Sequence, residues 1–226
     1  MKVSISIRKV AYWLFGSILV LNAFGPFLRI LMYFFDFEIS YGFLRLFDTA
    51  EEANVTSWFS SELLFIGAIL VLMISRVKVH HSDPYSRHWS ILAAIFFFLS
   101  LDELASIHEM SIKSLRNAFG VTGVFYFSWV IIAIPLVLLL GLFFLRFVLS
   151  LPWSTRIQFI VAGIIFLTGA VGFEMLGGLF HESSIYRFFV TTEETLENLG
   201  AGIFIISLLS YAGTNLNIGD FEMEII

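Results

Sequence analysis

Six stretches of this chain are each apolar over about the 20 residues that an α-helix needs to cross a bilayer core. They fall at about residues 10–32, 57–75, 89–112, 124–149, 157–180 and 193–212. Inside hydrocarbon every backbone N–H and C=O must find its partner within the protein, which leaves helices or a closed barrel. Apolar runs this long and continuous predict helices. The expected fold is all-α: a polytopic membrane protein, a bundle of six transmembrane helices, forming one domain over residues 1–226.

Composition supports this reading. The chain is 58% hydrophobic and only 14% charged, against roughly 25% charged in a soluble domain, and its mean hydropathy is +0.90. It has no cysteine, which removes disulfide frameworks and thiolate metal sites. With a net charge of −5 and no dense basic cluster, nucleic acid is not an expected partner; membrane lipid is. Nothing in the sequence sets an oligomeric state. Lys2, Arg8 and Lys9 precede the first apolar run as in a signal peptide, but the run passes Gly25-Pro26 to Phe35 without a small-residue cleavage site. It reads as an uncleaved first span, kinked at Pro26.

Six spans put both termini on one side. With the termini inside, eight Lys/Arg are cytoplasmic (Lys2, Arg8, Lys9, Arg76, Lys78, Arg87, Arg146 and Arg156) and five are external (Arg29, Arg45, Lys113, Arg116 and Arg187). The positive-inside rule therefore favours cytoplasmic N- and C-termini. On that orientation Asp83, Asp220, Glu222 and Glu224 are internal, and the other 14 of the 18 acids fall outside or in outer span halves. Glu62 opens span two; Asp102, Glu103 and Glu109 close span three; Glu174 lies near the end of span five; Glu193, Glu194 and Glu197 open span six. Four helices thus deliver carboxylates to one membrane depth. Inverting the topology changes only the side.

The densest part is Ser100 to Glu109, SLDELASIHE, which follows the apolar run ending Ile95-Phe96-Phe97-Phe98-Leu99. A charge at the centre of a lipid-buried helix costs about 2.5–3.5 kcal/mol on insertion scales, so these acids need a shared polar site. On a continuous helix Asp102 and Glu109 share a face with Ser106, flanked by Glu103 and His108. Alternatively, Ser100 to Glu103 forms a capping box at which a helix restarts.

Glu174 sits near a helix C-terminus, where the dipole disfavours an acid, so it needs a partner: a metal, a proton, or an arginine such as Arg29 or Arg187. On a continuous helix it shares a face with Gly178 and His181, and Gly177-Gly178 permits close backbone approach. Thr191-Thr192-Glu193-Glu194 fits a capping box with Thr191 as N-cap and Glu194 reaching back. Glu197, beyond the cap, is the better site candidate. Glu62, one turn into its span, is also favoured there by the helix dipole. Asn54-Val55-Thr56 matches a glycosylation sequon.

Carboxylates with imidazole and no thiolate suit a hard or borderline divalent metal ion. The candidate ligands are His108, Glu174, Glu197, Glu193 and Glu62, with Asp102, Glu103 and Glu109 as candidate catalytic carboxylates. Neither the Glu-x-x-His pairs of di-iron bundles nor His-Glu-x-x-His is present.

Glu52-Ala-Asn54 with Trp58-Phe-Ser-Ser61, Leu101-Asp102-Glu103 with His108-Glu109, and Glu193-Glu194 with Glu197 and Gly200-Ala201 resemble an uncharacterised family of bacterial multipass membrane proteins. More distantly, Asp102, His108, Glu174, Glu193, Glu197 and Gly200-Ala201 resemble the pattern of VanZ-like membrane proteins, with His108 six residues after Asp102 and Glu197 where that pattern usually has Asn. The resemblance implies a small helical protein of the bacterial cytoplasmic (inner) membrane with an acid-rich site. Three functions stay open: a metal-assisted hydrolase or transferase acting on a lipid or envelope precursor, a proton- or cation-binding transporter, and a non-catalytic assembly factor whose acids pair with Arg29, Arg45 and Arg187.

Overall fold

The computed structural model describes residues 3–35, 37–216 and 223–225, with 3–5 and 223–225 as backbone. Lys2, Asp36, Asp220 and Glu222, which entered the charge comparison, lie outside the described residues. Six helical segments are long and apolar enough to cross a membrane. In chain order they are α1 (Ile7–Phe35), α3 (Val55–His80), α4 (Ser86–Ala105), α6 (Val130–Ser150), the composite span Trp153–Leu179, and α9 (Tyr186–Asn215). The composite span consists of α7 (Trp153–Leu167), a π-helical turn at Thr168–Phe173, and α8 (Glu174–Leu179). Two short helices, α2 (Tyr41–Arg45) and α5 (Ile107–Phe119), lie between spans. Val3–Ile5 pairs in parallel with Met223–Ile225, which brings the two chain ends to one end of the bundle.

The bundle is built around α9, which packs on α1, α3 and α7, while α3 and α4 form a tight hairpin. Glycines set the closest approaches. A side chain at Gly200 would meet Phe166 at 2.7 Å and the Ala162 carbonyl at 2.9 Å. One at Gly169 would meet the Glu193 carbonyl at 2.8 Å. Such contacts replace the hydrophobic drive that lipid does not supply. At the end holding the chain termini, Trp89, Phe147, Val71 and Leu208 are buried together. Here α6 joins the bundle through aromatic contacts of Phe143 and Phe147 with His88 and Trp89. Nearer mid-bundle, Ile18, Leu63, Leu64, Ala201 and Ile205 form a second buried cluster.

Pro26 lies inside an unbroken α1. It leaves the Asn22 carbonyl without its helical donor, and the buried Asn22 side chain donates to the Ile18 carbonyl one turn back. A side chain at Gly25 would overlap the Phe47 carbonyl, so the α1–α3 connector lies directly on α1 at this point.

Two local expectations change. The Asp102–Glu109 segment is neither one continuous helix nor a restart at Ser100. The break falls at Ser106, which adopts the left-handed conformation (φ 49°) between α4 and α5. The break is held by Asp102, which reaches across it to His108. The Thr191–Glu194 capping box also does not form, because α9 begins five residues earlier, at Tyr186. The Thr191 hydroxyl instead hydrogen-bonds that of Thr49 (2.9 Å).

Candidate functional site: an acidic cavity

At the end of the bundle away from the chain termini, a cavity of about 150 Å³ is lined by Glu52, Asp102, Glu103, Glu109, Glu174, Glu193, Glu194 and Glu197, together with His108. Leu64, Leu99, Phe127, Phe166, Ala170 and Val190 supply the apolar wall, and Trp129, Tyr186 and Thr49 the remaining polar atoms. No lysine or arginine lines it among the described residues. Two like charges 4 Å apart repel by about 4 kcal/mol even at an effective dielectric constant of 20. Eight carboxylates around one small cavity therefore repel one another, and cations among them would relieve that repulsion.

Five parts of the chain build this wall. α4 brings Asp102 and Glu103 in its last turn, and α5 brings His108 and Glu109 in its first. Asp102 accepts both the His108 backbone N–H (2.8 Å) and the ring Nδ1–H (3.0 Å). That fixes the tautomer and leaves Nε2 without a proton in the neutral ring. Burial opposes the charged imidazole, but the hydrogen bond and charge of Asp102, with the charges of Glu174 and Glu109, outweigh it and raise the His108 pKa above its ordinary 6.5.

Glu174 enters from the composite span. A π turn inserts one residue per turn and rotates the helix beyond it, so the turn at Thr168–Phe173 sets the direction of Glu174. Its carboxylate accepts the Trp129 indole N–H at 2.6 Å. The indole is one partner of Glu174; Arg29 and Arg187 are instead engaged with Asp48. The helix ends at Leu179, so His181 does not continue the Glu174 face. Its ring stacks on Tyr126, 3.6 Å between centroids, and donates from Nδ1 to the Gly178 carbonyl. Arg116 covers the same ring at 3.6 Å, so Tyr126 is sandwiched between them and ties α5 to the α8–α9 connector. From α9, Glu193, Glu194 and Glu197 lie within just over one turn of helix. Gly169 opposite them lets α7 approach closely.

The fifth part is the connector before α3, which carries Glu52. Asn54 organises it. The Asn54 side chain, only 8% exposed with its residue, donates to the carbonyls of Arg45, Asp48 and Glu51 and caps α3 in a reciprocal box with Ser57. Asn54 is thus a structural knot, and no glycan can occupy the sequon there without undoing it. Burial pushes the Glu52 carboxyl up from its ordinary 4.5, Glu109 adds to this, and Ser106 and His108 pull against it.

Of the residues that the sequence singles out, Asp102, Glu103, Glu109, His108, Glu174, Glu193 and Glu197 line the cavity. Glu62 does not. The inward face of α3 is carried by Ser60, Leu63, Leu64 and Gly67, and Glu62 lies off it. The sequence pattern gives Glu194 to a cap, and Glu52 enters it only through the Glu52-Ala-Asn54 motif; both line the cavity. That motif, with the charge of Glu52, is the signal that could have found it. Among the described residues, no three histidines or acids already stand close enough to form a metal-ligating group.

The fold defines an integral membrane protein, with an acidic cavity at one end of its helical bundle. The chain belongs to the family described as a domain of unknown function, DUF8692, whose model matches residues 11–212. No curated protein and no solved structure matches the chain.

Proposed function

We propose that the acidic cavity binds a divalent metal ion and that the protein is a metal-assisted hydrolase or transferase acting on a lipid or envelope precursor from the outer face of the membrane. The supporting observation is the composition of the cavity wall: eight carboxylates and one oriented imidazole, with no lysine or arginine lining it among the described residues. Hard oxygen donors with imidazole suit such an ion. Histidines that ligate metals commonly donate their other N–H to a carboxylate, as His108 does to Asp102. Glu174, Glu193 and Glu197 are the remaining ligand candidates. When bound, the ion would polarise the scissile oxygen and acidify a water. Asp102 holds His108, Trp129 holds Glu174, and a carboxylate left unligated, Glu103 or Glu109, accepts the proton of the attacking water.

At about 150 Å³ the cavity is below the roughly 300–1,000 Å³ of pockets that enclose organic ligands. It has room for a cation and waters, and the precursor meets it at the rim. One observation favours a second reading. The acids are not gathered into a preformed ligand triad among the described residues, as suits a site neutralised by protons in a proton- or cation-coupled transporter. The test is turnover of phospholipid and polyprenyl phosphate substrates by protein in sealed vesicles, followed by mass spectrometry. Product that disappears with chelator and with Glu174→Gln supports the enzyme. Cation or proton flux without product, lost in Asp102→Asn, replaces it with the transporter.

A further inference from the structure

Beside the cavity, two guanidiniums converge on one buried carboxylate. Asp48, 6% exposed, is bound by Arg29 from α1 and by Arg187 from the first turn of α9, whose Nη1 lies 2.8 and 3.0 Å from the two carboxylate oxygens. Among the described residues Asp48 is the only acid within ion-pair distance of either arginine. The cluster therefore carries a net charge of +1 next to a wall of acids. Its position is fixed by its neighbours, since Thr49 follows Asp48 and Tyr186 precedes Arg187, and both line the cavity.

The arrangement exceeds what holding the connector requires. A carboxylate offers about four lone-pair sites, and two guanidiniums bring about ten N–H donors; only one nitrogen of each arginine is engaged with Asp48. The side chain of Arg187 is 47% exposed, so its remaining donors reach the surface. Arg187 also occupies the first turn of a 30-residue helix, where the dipole disfavours a cation and favours an anion. Within a transmembrane bundle, the end of a spanning helix is the level of lipid headgroups.

We propose that Arg29 and Arg187 form an anion subsite at the cavity rim that holds the phosphate of a lipid headgroup, with Asp48 positioning the two guanidiniums. This rests on the reading of the cavity as a cation-assisted site for a lipid-borne precursor, and it narrows that precursor to one bearing phosphate. Paired guanidiniums match phosphate oxygens two by two. A phosphate held here presents its ester bond to the cavity mouth, while the acids inside repel it from entering without the cation.

The experiment is native mass spectrometry of the full chain in detergent, without added metal, titrated in separate arms with phosphatidic acid, with diacylglycerol of the same acyl chains, and with inorganic phosphate. The expected result is retention of phosphatidic acid over diacylglycerol, weakened about tenfold by Arg187→Gln and less by Arg187→Lys, which keeps charge but not the fork. Melting curves of both variants identify loss of fold; should Arg187→Gln melt early, Arg187→Lys at wild-type stability carries the test. Retention unaffected by these substitutions, or equal for diacylglycerol, overturns the subsite. Competition by inorganic phosphate at equal concentration overturns the lipid assignment in favour of a free anion. Metal content read on the same samples separates the two ideas: a chain that binds divalent metal but does not discriminate phosphate loses the subsite alone. One that discriminates phosphate but binds no metal loses the metal reading alone.

Discussion

Asp102 and His108 stand on opposite sides of a helix break, and the two oxygens of Asp102 take both the backbone N–H and the ring Nδ1–H of His108 at 2.8 and 3.0 Å. One carboxylate thus stabilises the start of α5 and orients an imidazole that lines the acidic cavity. The backbone bond is that of a helix cap, supplied from across the break.

Asp102→Ala removes both bonds. Because Asp102 contributes most to raising the His108 pKa against burial, with Glu174 and Glu109 adding to it, the variant should bring the imidazole titration to lower pH. Histidine ring proton resonances followed against pH measure this. An unchanged midpoint would show that the pair does not control the ring.

Gly169 lies in the π turn, where a side chain would strike the Glu193 carbonyl at 2.8 Å. Gly169→Val should destabilise the fold by about 1–3 kcal/mol, as overpacking does, and should separate α7 from the α9 acids. Thermal melting in detergent gives the first effect, and reduced metal binding the second.

Asn54→Ala deletes the cap of α3 and three bonds to connector carbonyls. A lost cap costs about 0.5–2 kcal/mol, and the carbonyls left buried add to it. The variant should also release Glu52 from the cavity wall, seen as faster hydrogen exchange over residues 48–54. Expression in a glycosylating host should leave wild-type Asn54 unmodified.

The folded chain holds Glu52 above its ordinary 4.5 and His108 above its ordinary 6.5. A group whose pKa is raised by folding binds its proton more tightly in the folded state, so stability is present at low pH and lost as pH rises through the shifted value. Both groups act in the same direction. Metal-free protein should therefore melt at lower temperature as pH rises, from above 4.5 for Glu52 and from above 6.5 for His108. Divalent cation should offset the loss on the alkaline side.

The six spans were legible because each is an apolar run bounded by charge, and lipid allows such runs only one conformation. The gathering of Asp102, Glu174 and Glu197 was legible from the alternating direction of successive spans. Other features depend on contacts that no local pattern encodes. Ser106 is an ordinary helix residue until Asp102 folds back on His108, and only then is its left-handed conformation required. Gly169 and Gly172 hint at irregularity, but a π turn depends on how α7 meets α9. Glu194 fits a cap sequence, yet Arg187 and Thr191 are tied to Asp48 and Thr49 on the connector, and the helix runs on past them. The same connector delivers Glu52, whose position depends on the Asn54 knot rather than on hydropathy.

The central claim is that the eight-carboxylate cavity is a divalent cation site. Elemental analysis of detergent-purified protein, after dialysis against manganese, zinc, calcium or magnesium, tests it most directly. The account predicts at least one tightly held ion per chain, with affinity reduced at least about tenfold by Glu174→Gln or Glu197→Gln. Protein that retains none of these ions, and whose melting temperature none of them raises at any pH, would contradict it.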